Sequence, residues 1–454
     1  MMQESKATEL FEKAPVSQAV FKSALPAMAA MLMMLIYNLA DTFFVGQTHD
    51  AYQVAAVSLA MPVFLMFMAV GMVFGMGGTS VISRALGQGR SDYAKKVCSF
   101  CMWGSVIVGV VMAALFLIFM DQILALVGAS PDTWAYAKSY LTIVSLGGPF
   151  VLISNAFSNI VRAEGKSKEA MMGQVLGNLL NVVLDPIMIL LLGWNITGAA
   201  IATVIGNLFG ACYYIFYFVC GKSSLSVRIQ ELAQDGKVCG PVCAIGIPAA
   251  LGSILMSVSQ IIINSQLSKY GDMAVAGMGV AMKVVTITGM VCMGLGQGVQ
   301  PLLGYCVGAK LWERFKKAFR FSVLFALALG AVLTVICYLF TNQIVSAFLS
   351  DPDAYSYAVE FSRILLTTSF LFGVFYVLVN TLQAMGAATP ALIINLSRQG
   401  IIFIPALFIL QALIEINGLI WAQPVADALS IGLAAILYVR VSRKMMLPTT
   451  QEAG

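Results

Sequence analysis

Two aspartates sit inside stretches that are otherwise apolar. Asp185 lies in NLLNVVLDPIMILLLG (178–193) and Asp41 in IYNLADTFFVG (36–46). A carboxylate costs several kcal/mol to hold in hydrocarbon unless it faces a cavity or a partner, so an embedded acid marks a proton or ion site by default. Gln174, Asn178, Asn181 and Asp185 are spaced 4, 3 and 4 residues apart, which stacks them on one helical face. Pro186 follows at once; it cannot donate to the helix ladder, so a carbonyl about one turn earlier is freed and the helix bends. Tyr37 and Asn38 precede Asp41 by about one turn, Thr203 and Asn207 form an i,i+4 polar pair, and Asn155, Ser158 and Asn159 mark a further run. Two carboxylates, amides and a hydroxyl in one poorly solvated cluster can exchange protons near neutrality, or be neutralised together by a hard monovalent cation.

These residues must be positioned by membrane helices. Of the 454 residues, 60% are hydrophobic and 10% charged, against roughly 25% charged in soluble domains. Apolar windows near 17–45, 52–83, 97–120, 134–160, 169–193, 196–220, 241–268, 274–306, 319–341, 355–382, 389–413 and 417–440 each reach the roughly 20 residues a helix needs to span a bilayer. The expected fold is an all-α integral membrane protein of twelve transmembrane helices. The windows are too long and too uniformly apolar for barrel strands. With an inside N-terminus, 21 of the 26 basic residues fall on the cytoplasmic side, so both termini are expected there, in a cell membrane. The formal charge of +5 is then a topology signal and implies no nucleic-acid partner. The first apolar run is too long for a cleaved signal and acts as the insertion signal itself.

The chain repeats. An offset of 221 residues aligns Ala60-Met61 with Ala281-Met282, Gly77 with Gly298, Pro131-Asp132 with Pro352-Asp353, Tyr136-Ala137 with Tyr357-Ala358, and Asn159 with Asn380. The duplication defines an N-lobe (1–221), a polar cytoplasmic linker (222–240) and a C-lobe (241–454), each lobe with six spans. Halves with an even span number insert in the same orientation, and such repeats commonly hold substrate at their interface and alternate its access. The rival is a helical bundle that duplication merely enlarged, such as a membrane-embedded enzyme. Against an enzyme stand a single histidine, His49, and the lack of HExxH, GxSxG or paired-Asp motifs.

The lobes differ in charge. The seventh span repeats the 4, 3, 4 stripe as Ser253, Ser257, Gln260 and Asn264 without an acid, and Asp185 aligns with Ala406, beside Pro405. Cation coupling is therefore expected in the N-lobe. Tyr37, Asn38, Asn155, Asn159, Gln174, Asn178 and Asn207 of the N-lobe, with Gln260, Asn264, Asn380 and Gln399 of the C-lobe, are candidates to line a substrate cleft. Arg398 and Asp427 are the other embedded charges, serving coupling, gating or structural pairing, and Pro186 is assigned a gating or structural bend. Cys98 and Cys101 have CxxC spacing but no second ligand pair, so they read as membrane-core packing. The 26 Met and 27 Phe slightly favour varied apolar ligands.

The segments NLADTFFVG, RAEGKSKEAMMGQVLGNLLNVVLDPIMI and LQAMGAATPALIINLSRQGIIFIPAL, with the two six-helix halves, resemble the multidrug and toxic compound extrusion (MATE) family, in its DinF/MepA-like prokaryotic branch. The resemblance covers essentially the whole chain. It implies a V-shaped pair of lobes and a secondary antiporter that expels organic, often cationic and aromatic compounds in exchange for H+ or Na+. Carried over, the branch's N-lobe cation site falls on Asp41, Asn181, Asp185 and Thr203. Other branches carry acids on the seventh and tenth spans, where this chain offers Gln260 and Asn380. No cofactor is expected beyond the coupling H+ or Na+, no metal beyond Na+, and the working unit is expected to be a monomer in the lipid bilayer handling small-molecule drugs or metabolites. A lipid-linked precursor flippase of the same superfamily is the alternative; it would need a cationic cavity, for which Lys283 and Arg398 are the few candidates.

Overall fold

The computed structural model describes residues 9–48, 50–221, 223–232, 237–349 and 351–446. His49, Lys6, Lys222 and part of the expected linker (233–236) lie outside the described residues. The spanning helices are α1 (Val16–Gly46), α2 (Ala51–Gly87), α3 (Ser91–Ile118), α4 (Pro131–Ala163), α5 (Ser167–Asp185, continued by a wide π turn over Pro186–Leu191) and α6 (Asn195–Val219). The second set is α7 (Cys239–Leu267), α8 (Asp272–Gly308), α9 (Trp312–Leu339) and α10, made of Pro352–Ser369 and Phe372–Ala384, which meet at a bend of 48°. It ends with α11, which begins as Ala388–Leu396 and a π turn at Ser397–Ile401 and runs on to 413, and α12 over 416–446. The last two join in one helical run from Phe403, broken where Ile414 and Glu415 leave helical geometry. Ten described helices, or eleven counting the bent pair, are long and apolar enough to cross a membrane. Dividing the 59-residue stretch Ala388–Met446 at its break is consistent with twelve.

The repeat reaches features that hydropathy windows miss. Short helices Met120–Leu126 and Thr341–Ser346 follow α3 and α9 at the same 221-residue offset. The helices that come next are capped in kind: Ser130 and Thr133 form a reciprocal capping box ahead of α4, and the Asp351 side chain accepts from the Asp353 and Ala354 N–H groups ahead of α10. In both, a proline opens the first turn, where its missing N–H costs nothing.

The compact units follow packing rather than the repeat boundary. The first contains Ala29–Ala250 and the second Ala14–Met28 with the chain from Leu251 onward, so the starts of α1 and α7 each pack with the other repeat's helices. Close backbone approach makes both placements possible. In the first unit Gly77 and Gly246 bring α2 against the start of α7 at Val242 and Val73; in the second, Gly294 and Gly298 of α8 meet Met28 and Ala24 of α1. The first core centres on Phe67, Leu141, Leu152 and Ile189, and the second on Ala281, Val284, Phe361 and Leu419.

The start of the expected linker is docked on the first unit. The buried Glu164 carboxylate accepts from the Tyr217 hydroxyl (2.9 Å), the Ser223 hydroxyl (2.7 Å), and the N–H and hydroxyl of Ser224 (2.9 Å each). Ser99 Oγ and Trp103 Nε1 then donate to the carbonyls of Arg228 and Val227. Four donors satisfy an acid that burial would otherwise make costly.

A reciprocal glycine contact joins α5 and α6. A Cβ on Gly177 would stand 2.7 Å from the Gly206 carbonyl oxygen, and one on Gly206 would stand 2.7 Å from that of Gly177. Gly177→Ala is therefore expected to force the helices apart and destabilise the protein by about 1–3 kcal/mol. Gly279→Ala, where an added Cβ meets nothing within 4 Å, is expected to be neutral or mildly stabilising. Thermal unfolding of the two purified variants in one detergent distinguishes these outcomes.

Candidate functional site: an acidic cluster in the first unit

The Gly177–Gly206 contact draws α5 onto α6 and brings their polar residues together. One turn along from those glycines, Asn181 Nδ2 donates to Thr203 Oγ1 at 3.3 Å, with both side chains buried. The next turn of α5 delivers Asp185, which has no solvent exposure. Where Pro186 cannot continue the ladder, the helix widens: Leu192 N–H bonds back to the Ile187 carbonyl, five residues earlier. The sequence predicts a bend at Pro186, and a π turn is how the chain accommodates that proline.

From α1, Tyr37 reaches Thr203, while Asp41 is the charged neighbour that acts on Asp185. Tyr140 of α4, 8% exposed, lies within electrostatic reach of Tyr37, Asp41 and Asp185. Sequence reasoning missed Tyr140, which sits in YAKSYLTIV with no polar stripe to mark it; its only signal is i,i+4 spacing from Tyr136.

Several acceptors in this cluster have no partner among the described residues. Both oxygens of Asp185, Oδ1 of Asp41 and Oδ1 of Asn181 are buried and unbonded. A buried acceptor left unpaired costs about 1–3 kcal/mol, more when charged. Water, a proton or an ion can complete such a group. Carboxylate, amide and hydroxyl oxygens form a hard, oxygen-only donor set, which fits a proton or a monovalent alkali ion. Among the described residues no three His, Cys, Asp or Glu side chains come together to hold a metal, and Cys98 and Cys101 are buried, unbridged thiols.

The other expected residues divide by unit. In the first, Asn159 Nδ2 bonds the Asn155 carbonyl, Arg162 Nη1 donates to Asn159 Oδ1, and Asn207 Nδ2 bonds the Thr203 carbonyl. Gln174 Oε1, Asn178 Nδ2 and Asn155 Oδ1 remain unpaired. Asn38 offers its carbonyl to the Thr42 hydroxyl. In the second, Gln260 Nε2 donates to Asn264 Oδ1 at 3.1 Å, Asn380 Nδ2 bonds the Tyr376 carbonyl, and Ser259 donates to the Gln399 carbonyl through a very short contact that ties α7 to α11. Arg398 and Asp427, the two further embedded charges, are partners: Arg398 Nε donates to Asp427 Oδ1 at 2.7 Å. Lys283 lies over the Phe348 ring and Arg363 over that of Tyr338.

Two six-helix repeats that span a membrane, one of them holding a buried acidic cluster, match a transporter architecture. The MatE family model matches twice, over residues 26–187 and 248–409, and the chain belongs to that family. The Multidrug export protein MepA of Staphylococcus aureus (strain MSSA476) is 34% identical over 97% of both chains, and that of Staphylococcus haemolyticus is 31% identical over 96% of both. Among solved structures, an outward-facing multidrug resistance MATE family transporter of the MOP superfamily superposes with a TM-score of 0.92 at 22% identity, covering 97% of this chain and 99% of that one. A MOP superfamily transporter from Pyrococcus furiosus gives 0.90 at 22%, covering 98% of each. The fold is thus that of the MATE transporters, as the resemblance implies.

The unpaired oxygens give a stability test. In cation-free alkaline buffer, Asp185→Asn removes a buried charge and is expected to raise stability by about 1–3 kcal/mol. Acid or Na+ neutralises the native carboxylate and so should close the gap from the wild-type side. Melting curves of both proteins across pH, with and without Na+, check the sign; a gap that ignores both would remove the cation-site reading.

Proposed function

We propose that the protein is a secondary multidrug efflux antiporter of the cell membrane, exporting organic, mainly cationic and aromatic compounds in exchange for H+ or Na+. The observation that carries this reading is the group of unpaired carboxylate and amide oxygens on Asp41, Asp185 and Asn181, within a chain whose relatives are named multidrug export proteins. Asp185 supplies the principal charge. Asp41 sets the electrostatic demand for a counter-ion. The Asn181–Thr203 bond holds two further oxygens in register, and Tyr37 and Tyr140 shield the cluster from bulk water.

Coupling follows from linkage. If cation binding at this cluster rearranges the first unit and lowers its affinity for drug, bound drug must lower the affinity for cation by the same factor. Polar side chains outside the cluster, among them Gln174, Asn178, Gln260, Asn264, Asn380 and Gln399, are assigned to substrate contact. Both termini are assigned to the cytoplasm, the working unit is a monomer, and no cofactor takes part. A lipid-linked precursor flippase finds less support, since Arg398 is paired with an acid and Lys283 rests on a ring.

In proteoliposomes, an imposed pH or Na+ gradient should drive ethidium-type dye transport by the wild-type protein. Asp185→Asn and Asp41→Asn should each reduce gradient-driven transport to the level of protein-free liposomes while leaving the protein folded. Full gradient-driven transport by both variants would sink the coupling mechanism. Sodium-free against sodium-containing buffer identifies the ion.

A further inference from the structure

The second unit holds a buried carboxylate of its own, and the chain supplies its cation. Asp427 of α12 is 1% exposed, and its Oδ1 accepts from Arg398 Nε at 2.7 Å and from Gln423 Nε2 at 2.9 Å. Its Oδ2 is buried without a partner. The Arg398 guanidinium, itself buried, lies over three rings of α10, with Cζ 4.5 Å from the centroid of Phe375, 5.1 Å from Phe372 and 5.8 Å from Tyr376. An aromatic box closed by a carboxylate is how proteins hold an organic cation, and here a side chain of the chain itself fills it.

The placement has a counterpart in the repeat. At the 221-residue offset Arg398 and Asp427 correspond to Gly177 and Gly206, the glycines whose backbones touch between α5 and α6. One turn further, Asn181 and Thr203 of the acidic cluster correspond to Ile402 and Pro424. The second unit therefore has no polar pair where the first holds its hydroxyl and amide; one turn away it has an acid with a tethered guanidinium. The π turn at Ser397–Ile401 gives α11 the wider local geometry in which Arg398 projects.

We infer that Arg398 is a built-in counter-ion, so that Asp427 is permanently neutralised and takes up no ion. This goes beyond the proposed antiport and does not require it: it concerns the charge state of Asp427 alone. Removing the guanidinium should convert the site into one that needs an external small cation. The groups facing Asp427 are Arg398 from α11, the Tyr376 ring through Arg398 from α10, and Gln423 on its own helix. Glu360 and Arg363, on the other piece of α10, line a separate surface groove with Asn417 and Trp421.

The test compares Arg398→Gln with Arg398→Gln/Asp427→Asn by thermal unfolding in detergent, from alkaline to mildly acidic pH, in N-methylglucamine or in Na+. Breaking a buried pair on one side leaves an uncompensated charge, so Arg398→Gln should melt on the order of 5 °C below the double variant at alkaline pH in N-methylglucamine. The deficit should shrink on acidification or on adding Na+. The carboxylates of the first unit are common to both proteins and cancel, so failure of the efflux proposal would not disturb this comparison. If the two variants melt together throughout, or differ by an amount that neither acid nor Na+ alters, the inference is wrong. Should Arg398→Gln fail to fold at alkaline pH, its recovery by expression and purification in acidic, Na+-containing buffer supports the inference, and recovery only as the double variant overturns it.

Discussion

The structure depends on one constraint: a carboxylate placed in a membrane helix must be neutralised by something. Asp185 has no exposed surface and no protein donor, and Asp41 leaves one oxygen in the same condition. Most of the first unit's irregular features serve this placement. Two glycines press α5 onto α6, the resulting proximity lets Asn181 bond Thr203, and a proline-tolerant wide turn takes over directly after Asp185. None of these would repay their cost in a helix whose only task was to cross the bilayer.

The second unit meets the same constraint by another route. Its embedded acid has a guanidinium partner stacked on aromatic rings, so the charge balance is settled when the chain folds rather than by exchange with solvent. Two halves of common origin thus treat one electrostatic problem differently: the first leaves its carboxylate oxygens without a donor among the described residues, and the second tethers a guanidinium to its own. The divergence lies in a few positions on otherwise matching helices: Gly177 against Arg398, Gly206 against Asp427, Asn181 against Ile402.

What the sequence could reveal depended on the range of the interaction. Helical periodicity is local, so Gln174, Asn178, Asn181 and Asp185 announced a polar face without any knowledge of the fold, and the internal repeat made the loss of the acid at Ala406 visible. Pairing between helices is not local. Nothing in the spacing of Arg398 and Asp427 says that residues 29 positions apart meet, because the break at Ile414 and Glu415 that folds α12 back beside α11 carries no proline at the turn. Tyr140 stayed hidden for a related reason, since a single aromatic on a largely apolar helix looks the same whether it faces lipid or an acid. The 48° bend of α10 also has no proline to announce it, whereas α4 carries Pro149 at the matching position and remains one continuous helix.

The traded helix starts bear on how such a chain can come into being and be taken apart. Because Ala14–Met28 packs with the second unit and the beginning of α7 with the first, the polar linker divides the repeats but not the packed bodies. A polypeptide cut there would yield two pieces, each with an amphibious end whose proper place is in the other piece. Within one chain, each exchanged helix start is supplied by the same molecule that needs it.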